Sequence, residues 1–73
     1  MEKTLNYNTP YPADMLPLVR RGLRLSVVTG SDIRCGHFDR LDGEHLQLSN
    51  GFALIRISLA EIRSFCLIRE DKR

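Results

Sequence analysis

The sequence predicts an all-β domain, a small and strongly bent five-stranded barrel preceded by a short N-terminal α-helix. Three observations support this prediction. A chain of 73 residues can hold one hydrophobic core. From residue 23 onward, apolar and polar residues alternate, which is the period of a half-buried strand. Turn signals divide this stretch into five short segments, and closing such strands into a barrel removes exposed sheet edges.

The first twenty-two residues follow a different pattern from the rest. Residues 1–12 are predicted to form an irregular lead because asparagines and prolines interrupt regular structure. The segment 13–21, ADMLPLVRR, predicts the helix, with Asp14 as its N-cap and Gly22 as its stop. Pro17 falls within the first turn, where its missing N–H costs little.

Five strands are predicted after the helix, joined by short turns. Asp42 and Asn50 each precede a glycine, which is a hairpin signal, and Gly36 predicts a sharp bend. Residues 58–61 suit a single 3₁₀ turn because they are too few for a longer helix. The single domain is predicted over 13–68, with strands at 23–28, 33–41, 45–48, 52–57 and 62–68, and a charged tail at 69–73.

The last two predicted strands are apolar on both faces. Phe52 and Leu54 lie on the opposite face of the fourth strand from its isoleucines, and Phe65 and Leu67 likewise in the fifth. A strand that is apolar on both faces needs cover on both. The helix and the lead are one source of cover. We expect the remaining apolar surface to be covered by a second copy of the chain, in a homo-oligomer interface formed by these four residues.

The basic charge is almost all arginine, with nine Arg and two Lys against nine acidic residues, for a net charge of +2. Guanidinium groups suit phosphate, and Arg20, Arg21 and Arg24 lie close together. This cluster predicts a patch that contacts the RNA backbone. Exposed Phe52, His45 or Tyr11 is expected to stack on unpaired bases.

Composition excludes several other classes. An apolar fraction of 42% with 27% charged residues is typical of a globular domain. No segment has the ~18 apolar residues of a membrane span, and no secretory segment begins the chain, so we expect a cytoplasmic protein without a membrane partner. His37 and His45 lack neighbours at metal-ligand spacing. Phosphate-loop and nucleophile patterns are also missing, so we expect no catalytic residue, metal, cofactor or small-molecule substrate. Cys35 and Cys66 are expected to be free thiols.

The phrase VVTGSDIRCGHFDRLDGEHLQLSNG resembles the Sm-like superfamily, which includes the bacterial Hfq proteins. The matching residues are Gly30, Gly36, Phe38, Asp42, Leu46, Leu48 and Asn50. The segment DMLPLVRRG is similar to the Hfq N-terminal helix, whose end carries paired arginines. The resemblance implies an Sm-like (SH3-like) barrel in a homo-oligomeric ring that binds single-stranded RNA in post-transcriptional regulation. The expected RNA-binding residues are Arg20, Arg21, Arg24, His45, Asn50 and Phe52.

A second resemblance leads to a different function. The segment EHLQLSNGFALIRISLAEIRSF is similar to the last half of the Rho-binding antiterminator family, of the Rof or YaeO type. The matching residues are Asp14, Leu16, Glu44, Leu46, Leu59, Ile62, Ser64 and Phe65. This resemblance implies a protein-interaction module that regulates transcription termination by binding a transcription or RNA-processing protein. The positive net charge favours RNA binding as the first expectation.

Overall fold

The computed structural model describes residues 5–69, and it confirms the all-β class with five strands in one sheet. Residues 1–4 of the predicted lead and 70–73 of the predicted tail lie outside the described residues. Two 3₁₀ segments accompany the strands. In chain order the elements are η1 (Ala13–Leu18), β1 (Arg24–Thr29), β2 (Ile33–Leu41), β3 (His45–Asn50), β4 (Ala53–Ser58), η2 (Leu59–Glu61) and β5 (Ile62–Leu67).

All strand pairs are antiparallel, in the order β4-β3-β2-β1-β5. The predicted alternation is confirmed in β1, where Leu25 and Val27 are buried, and in β3, where Leu46 and Leu48 are buried. Side chains between these residues point to the opposite side, which is the outer face of the sheet. Within residues 5–69, no helix is both long enough and apolar enough to cross a lipid bilayer.

The sheet is curled into a barrel-like shape, as its connections require. β4 and β5 lie at opposite ends of the strand order, although only the three residues of η2 join them. The four chain steps from Ser58 to Ile62 reach at most about 14 Å. Five strands in a flat sheet would hold the outer two about 19 Å apart. The sheet therefore has to bend until its two edge strands approach each other.

Gly36 permits the close approach that this bend needs. A Cβ atom at Gly36 would lie 3.0 Å from the Cβ of Leu48 and 3.2 Å from the carbonyl oxygen of Ser49. Any other residue there would push β3 away from β2. A register shift follows between Phe38 and Arg40, with Asp39 as the extra residue. Such a bulge increases local twist and bends the strand further.

The predicted α-helix over 13–21 is wrong in type and in length. The segment is a 3₁₀ helix over Ala13–Leu18, and Val19 is already extended. Pro17 explains the difference, because it has no N–H for an α-helical bond and its ring would clash with the carbonyl of Ala13. Leu16 is the buried residue of this helix, and Val19, just beyond its end, is buried as well.

The ends of η1 differ from the prediction as well. Pro12 occupies the N-cap position, and no side chain caps the helix, so Asp14 is a first-turn residue instead. Arg20 and Arg21 lie beyond the helix, in the loop that leads to β1. Gly22 adopts a φ of +94° in this loop, a conformation that glycine reaches without strain.

Phe65 and Leu67 do not form a subunit interface, because both are buried in the core of the single chain. Phe65 is 1% exposed and Leu67 is 4% exposed. Val28 pairs with Ser64, but Thr29 pairs with Ile62, so Arg63 is an extra residue in β5. This bulge lets Ile62 and Phe65, three residues apart, both point inward.

The described part of the lead covers the outer edge of β5. Asn8 donates a backbone hydrogen bond to the carbonyl of Leu67 (2.8 Å), and Tyr11 exchanges two with Phe65 (2.8 and 2.9 Å). The rings of Tyr11 and Phe65 have centroids 5.9 Å apart. Tyr7 lies against the sheet end, with the Arg69 guanidinium 4.7 Å from its ring centre. The lead therefore covers this edge through two isolated β-bridges, at Tyr7 and Tyr11.

Candidate nucleic-acid interface

The outer face of β1 to β3 is polar, and on β4 it ends in an exposed leucine. The strand registers place four residues directly opposite one another, and we call them the outer row: Arg24, His37, Ser49 and Leu54. Their chain neighbours Leu25 and Leu48 point into the core, so the outer row faces away from it. Because adjacent strands lie about 4.8 Å apart, the outer row is about 14 Å long.

Asp39, Gln47 and Arg21 form a hydrogen-bonded group on the same face. The Gln47 amide donates to Asp39 Oδ2 (2.6 Å), and Arg21 Nη2 donates to Asp39 Oδ1 (3.2 Å). The bond from Gln47 lowers the pKa of Asp39, the neighbouring Arg21 lowers it further, and partial desolvation opposes both. The carboxylate is therefore ionised at neutral pH and holds Arg21 against the sheet.

A second charged group closes the hairpin between β2 and β3. Asp42 Oδ1 accepts backbone hydrogen bonds from Glu44 (2.8 Å) and His45 (2.7 Å), as turn aspartates commonly do. These two bonds hold the pKa of Asp42 below its ordinary value of 3.8. Arg56 Nη2 lies 3.6 Å from Asp42 Oδ2 and 3.4 Å from His45 Nδ1. The group holds the guanidinium of Arg56, a residue in the middle of β4, beside the β2–β3 hairpin.

The opposite end of the β3–β4 hairpin is apolar and exposed. Asn50 ends β3, Gly51 turns the chain with a φ of +66°, and Phe52 projects fully into solvent. His45 and Asn50 are five residues apart in the same strand, or about 17 Å. The predicted RNA-binding residues on this hairpin therefore lie at its two ends and not in one pocket.

The structure places the predicted arginines close to the outer row. Arg24 is in the row itself, Arg21 is bound beside it, and Arg20 is exposed in the preceding loop. Within residues 5–69, Arg24 forms no ion pair. Sequence reasoning missed three further residues of this surface. They are His37, Gln47 and Arg56, which strand alternation together with the hairpin register would have assigned to the same face.

The outer face of β5, β1 and β2 has different chemistry, because it is almost uncharged. Cys35 and Cys66 flank Ser26 across three strands, and Ile33 and Ser64 flank Val28 in the same way. Both cysteines are free, as predicted. Their Cα atoms are two strand spacings apart, about 9.6 Å, which exceeds the separation that an intrachain disulfide can span.

A third surface lies at the end of the barrel. An open groove of about 640 Å³ separates the β1–β2 turn from η2, and Gly30 and Arg63 line it. The Arg63 guanidinium lies 3.7 Å from where a Cβ of Gly30 would be. Arg34, next to this groove, lies 3.5 Å from Asp32. Within the described residues, this end therefore holds the paired Arg34 and the unpaired Arg63. Within the same part of the chain, the outer row region likewise has a paired arginine, Arg21, and an unpaired one, Arg24.

The chemistry that these surfaces offer is binding by contact. Guanidinium groups can pair with phosphates, Gln47 and Ser49 can form hydrogen bonds, and Phe52 offers a ring for stacking. Across residues 5–69, no three His, Cys, Asp or Glu side chains come together as metal ligands. Comparison of the chain with protein-family models, with curated proteins and with solved structures gives no match.

Proposed function

We propose that this chain is a non-enzymatic RNA-binding protein of post-transcriptional regulation, and that it binds single-stranded RNA on the outer face of β1 to β4. One observation carries the proposal. The strand registers align Arg24 with His37 and Ser49 across the sheet, and Arg21 is fixed beside them by Asp39. A sheet face with aligned cationic and polar side chains suits an extended strand with unstacked bases.

The phosphate contacts come from the arginines. Arg24 has no acidic partner within residues 5–69, so binding a phosphate disrupts no ion pair there. Arg21 forms one exposed ion pair with Asp39, which keeps its guanidinium close to the outer row but binds it weakly. The net charge of +2 is small, which predicts modest affinity, and two phosphate contacts predict a gradual decrease of affinity as salt rises.

The base contacts come from the exposed ring and the polar side chains. Phe52 stands at the end of the hairpin, next to Leu54 of the outer row. Stacking one base on an aromatic ring contributes about 1–3 kcal/mol and tolerates any sequence. Gln47 and Ser49 supply hydrogen-bonding groups between the ring and the arginines.

Two matched double variants test the proposal. Arg21→Ala/Arg24→Ala removes one paired and one unpaired arginine from the outer face. Arg34→Ala/Arg63→Ala removes one of each kind from the barrel end, with the same change in net charge. Fluorescence anisotropy with short U-rich and A-rich RNAs over a salt series gives the affinity and its salt dependence.

We expect the outer-face variant to bind RNA more weakly. Its slope of log affinity against log salt should decrease by about 1.4, because each phosphate contact contributes about 0.7 for single strands. The barrel-end variant should bind nearly as well as the original chain. Equal losses in the two variants would show that only total charge matters, and that result would overturn the proposed surface.

The alternative function is a protein-interaction module of the antiterminator type. One observation favours it: Phe52 and Leu54 are exposed near Arg56, and aromatic residues with arginine are typical of protein-binding hot spots. Pull-down from nuclease-treated lysate separates the two functions. Recovery of one transcription or RNA-processing protein, lost in Phe52→Ala, together with no RNA binding in anisotropy, would favour this alternative.

A further inference from the structure

The outer edge of β4 is unprotected. The lead pairs with β5, but within residues 5–69 no segment pairs with the outer edge of β4. Exposed edges are usually blocked by proline, bulges or several charges. β4 has a regular register without a bulge, and Arg56 is its one charged residue. Leu54 is 62% exposed on this strand, and Phe52 is fully exposed just before it.

We propose that a second copy of this chain pairs with this edge, β4 against β4, in antiparallel orientation about a two-fold axis at Leu54. The two sheets then continue into one, and their outer faces lie on the same side. Leu54 of each copy faces Leu54 of the other. The interface is isologous, so one exposed strand supplies both halves of it.

Every axis centred on a residue of β4 keeps the outer faces together, and electrostatics disfavours those at Ile55 and Arg56. An axis at Ala53 would pair β4 mainly with turn residues. An axis at Arg56 sets two guanidinium groups directly opposite each other. An axis at Ile55 leaves them two residues apart, or about 7 Å. An axis at Leu54 separates them by four residues, about 13 Å, which is beyond the screening length of roughly 8–10 Å.

The same register gives Arg56 a favourable partner. In an antiparallel pair centred on Leu54, Arg56 stands opposite Phe52 of the second copy. To reach that ring, its guanidinium gives up the exposed 3.6 Å contact with Asp42, which is a weak surface pair. A guanidinium over an aromatic ring is attracted by the ring quadrupole, and the arginine stem covers apolar surface. The contact occurs twice because of the symmetry. This one arrangement therefore covers the exposed Phe52 and Leu54 and gives Arg56 an aromatic partner.

The pairing predicts a weak dimer. One short strand from each copy buries less than the roughly 1,200 Å² at which stable interfaces begin. Association should therefore depend on concentration. The dimer leaves Arg21 and Arg24 accessible in both copies but uses Phe52, so it shares that one residue with the proposed RNA-binding surface.

Cysteine cross-linking in the full chain tests the register. In a Cys35→Ser/Cys66→Ser background, Leu54→Cys places one thiol on each side of the two-fold axis, where opposite Cα atoms are about 4.5–5.5 Å apart. This lies within disulfide geometry. We expect a disulfide-linked dimer on mild oxidation. Arg56→Cys in the same background should form little, and preferential cross-linking there would overturn the register.

Solution mass tests the dimer itself. Sedimentation of the unmodified chain from low micromolar to near-millimolar concentration should show the 8.4 kDa monomer giving way to twice that mass. Leu54→Lys sets two cations on the axis and should hold the chain monomeric. Ile33→Lys is the matched control, because Ile33 is 63% exposed on the uncharged face and should leave the dimer intact.

Each alternative outcome contradicts the proposal. A chain that stays monomeric at every concentration, a closed ring of six or seven copies, or equal effects of the two lysine variants would each overturn β4 pairing. Circular dichroism of both lysine variants separates lost association from lost folding. RNA binding measured at concentrations below dimer formation keeps this test apart from that of the proposed function.

Discussion

β5 and β4 are both edge strands with apolar residues on their two faces, but only one of them is covered by its own chain. A bulge at Arg63 turns Phe65 into the core, and the lead pairs with the outer edge of β5. β4 has neither device, and Leu54 and Phe52 remain exposed. The comparison shows that apolar excess on a strand does not by itself indicate an interface, because a bulge and a covering segment can remove it.

The two phenylalanines give the largest expected contrast between the edges. Phe65→Ala removes a ring that is 1% exposed and leaves a cavity, so the free energy of unfolding should decrease by about 3–5 kcal/mol. Phe52→Ala removes a fully exposed ring and should change stability by at most about 0.5 kcal/mol. Urea unfolding of the monomer measures both. Similar losses of unfolding free energy in the two variants would contradict the difference in burial between the two edge strands.

Removing the cover of β5 should have an intermediate effect. Tyr11→Ala deletes the ring against Phe65 and should cost about 1–2 kcal/mol, because an aromatic contact and partial burial are both lost. Amide exchange at Phe65 should also become faster, since its N–H donates to Tyr11. Tyr7→Ala is the control and should cost about 0.5–1 kcal/mol, the range of an exposed cation–π contact. Unchanged exchange at Phe65 in Tyr11→Ala would argue against the lead as a stabilising segment.

The sequence was sufficient where local rules decide the structure. Alternation assigned the inward residues of β1 and β3, and the predicted bounds of β2 are confirmed. The 3₁₀ turn predicted before β5 over 58–61 is present as Leu59–Glu61, one residue shorter. Local rules also contain the information about η1, because Pro17 opposes an α-helix in that segment. The prediction weighed the favourable position of proline in a first turn and neglected its clash with Ala13.

The rest depends on contacts between distant segments. The bulge at Arg63 arises where β5 pairs with Val28 and Thr29 of β1. The sequence of β5 alone does not predict this bulge, because it depends on the pairing with β1. The lead has no strand pattern, and it becomes ordered through the carbonyls of Phe65 and Leu67. The surface around Arg24 was predicted in part because the arginines are clustered, whereas its partners come from other strands.

The smallest expected effect concerns the carboxylates on the β4 side of the barrel. Asp39 and Asp42 both have lowered pKa values, caused first by the Gln47 amide and by the Glu44 backbone N–H respectively. A carboxylate with a lowered pKa stabilises the fold above its ordinary value of 3.8. That stabilisation is lost as pH falls through the lower folded value, because the unfolded chain then no longer binds more protons than the native one.

Asp42→Asn tests this dependence. The variant keeps the size of the side chain but loses the charge, so it should be slightly less stable than the original chain at neutral pH and lose less stability on acidification. Urea midpoints between neutral pH and about pH 2 give the two profiles. Asp14→Asn is the control, because Asp14 accepts no hydrogen bond within residues 5–69 and its profile should follow the original. If Asp42→Asn also follows it, the hairpin carboxylate does not stabilise the β4 side, and the two edges differ in their apolar cover alone.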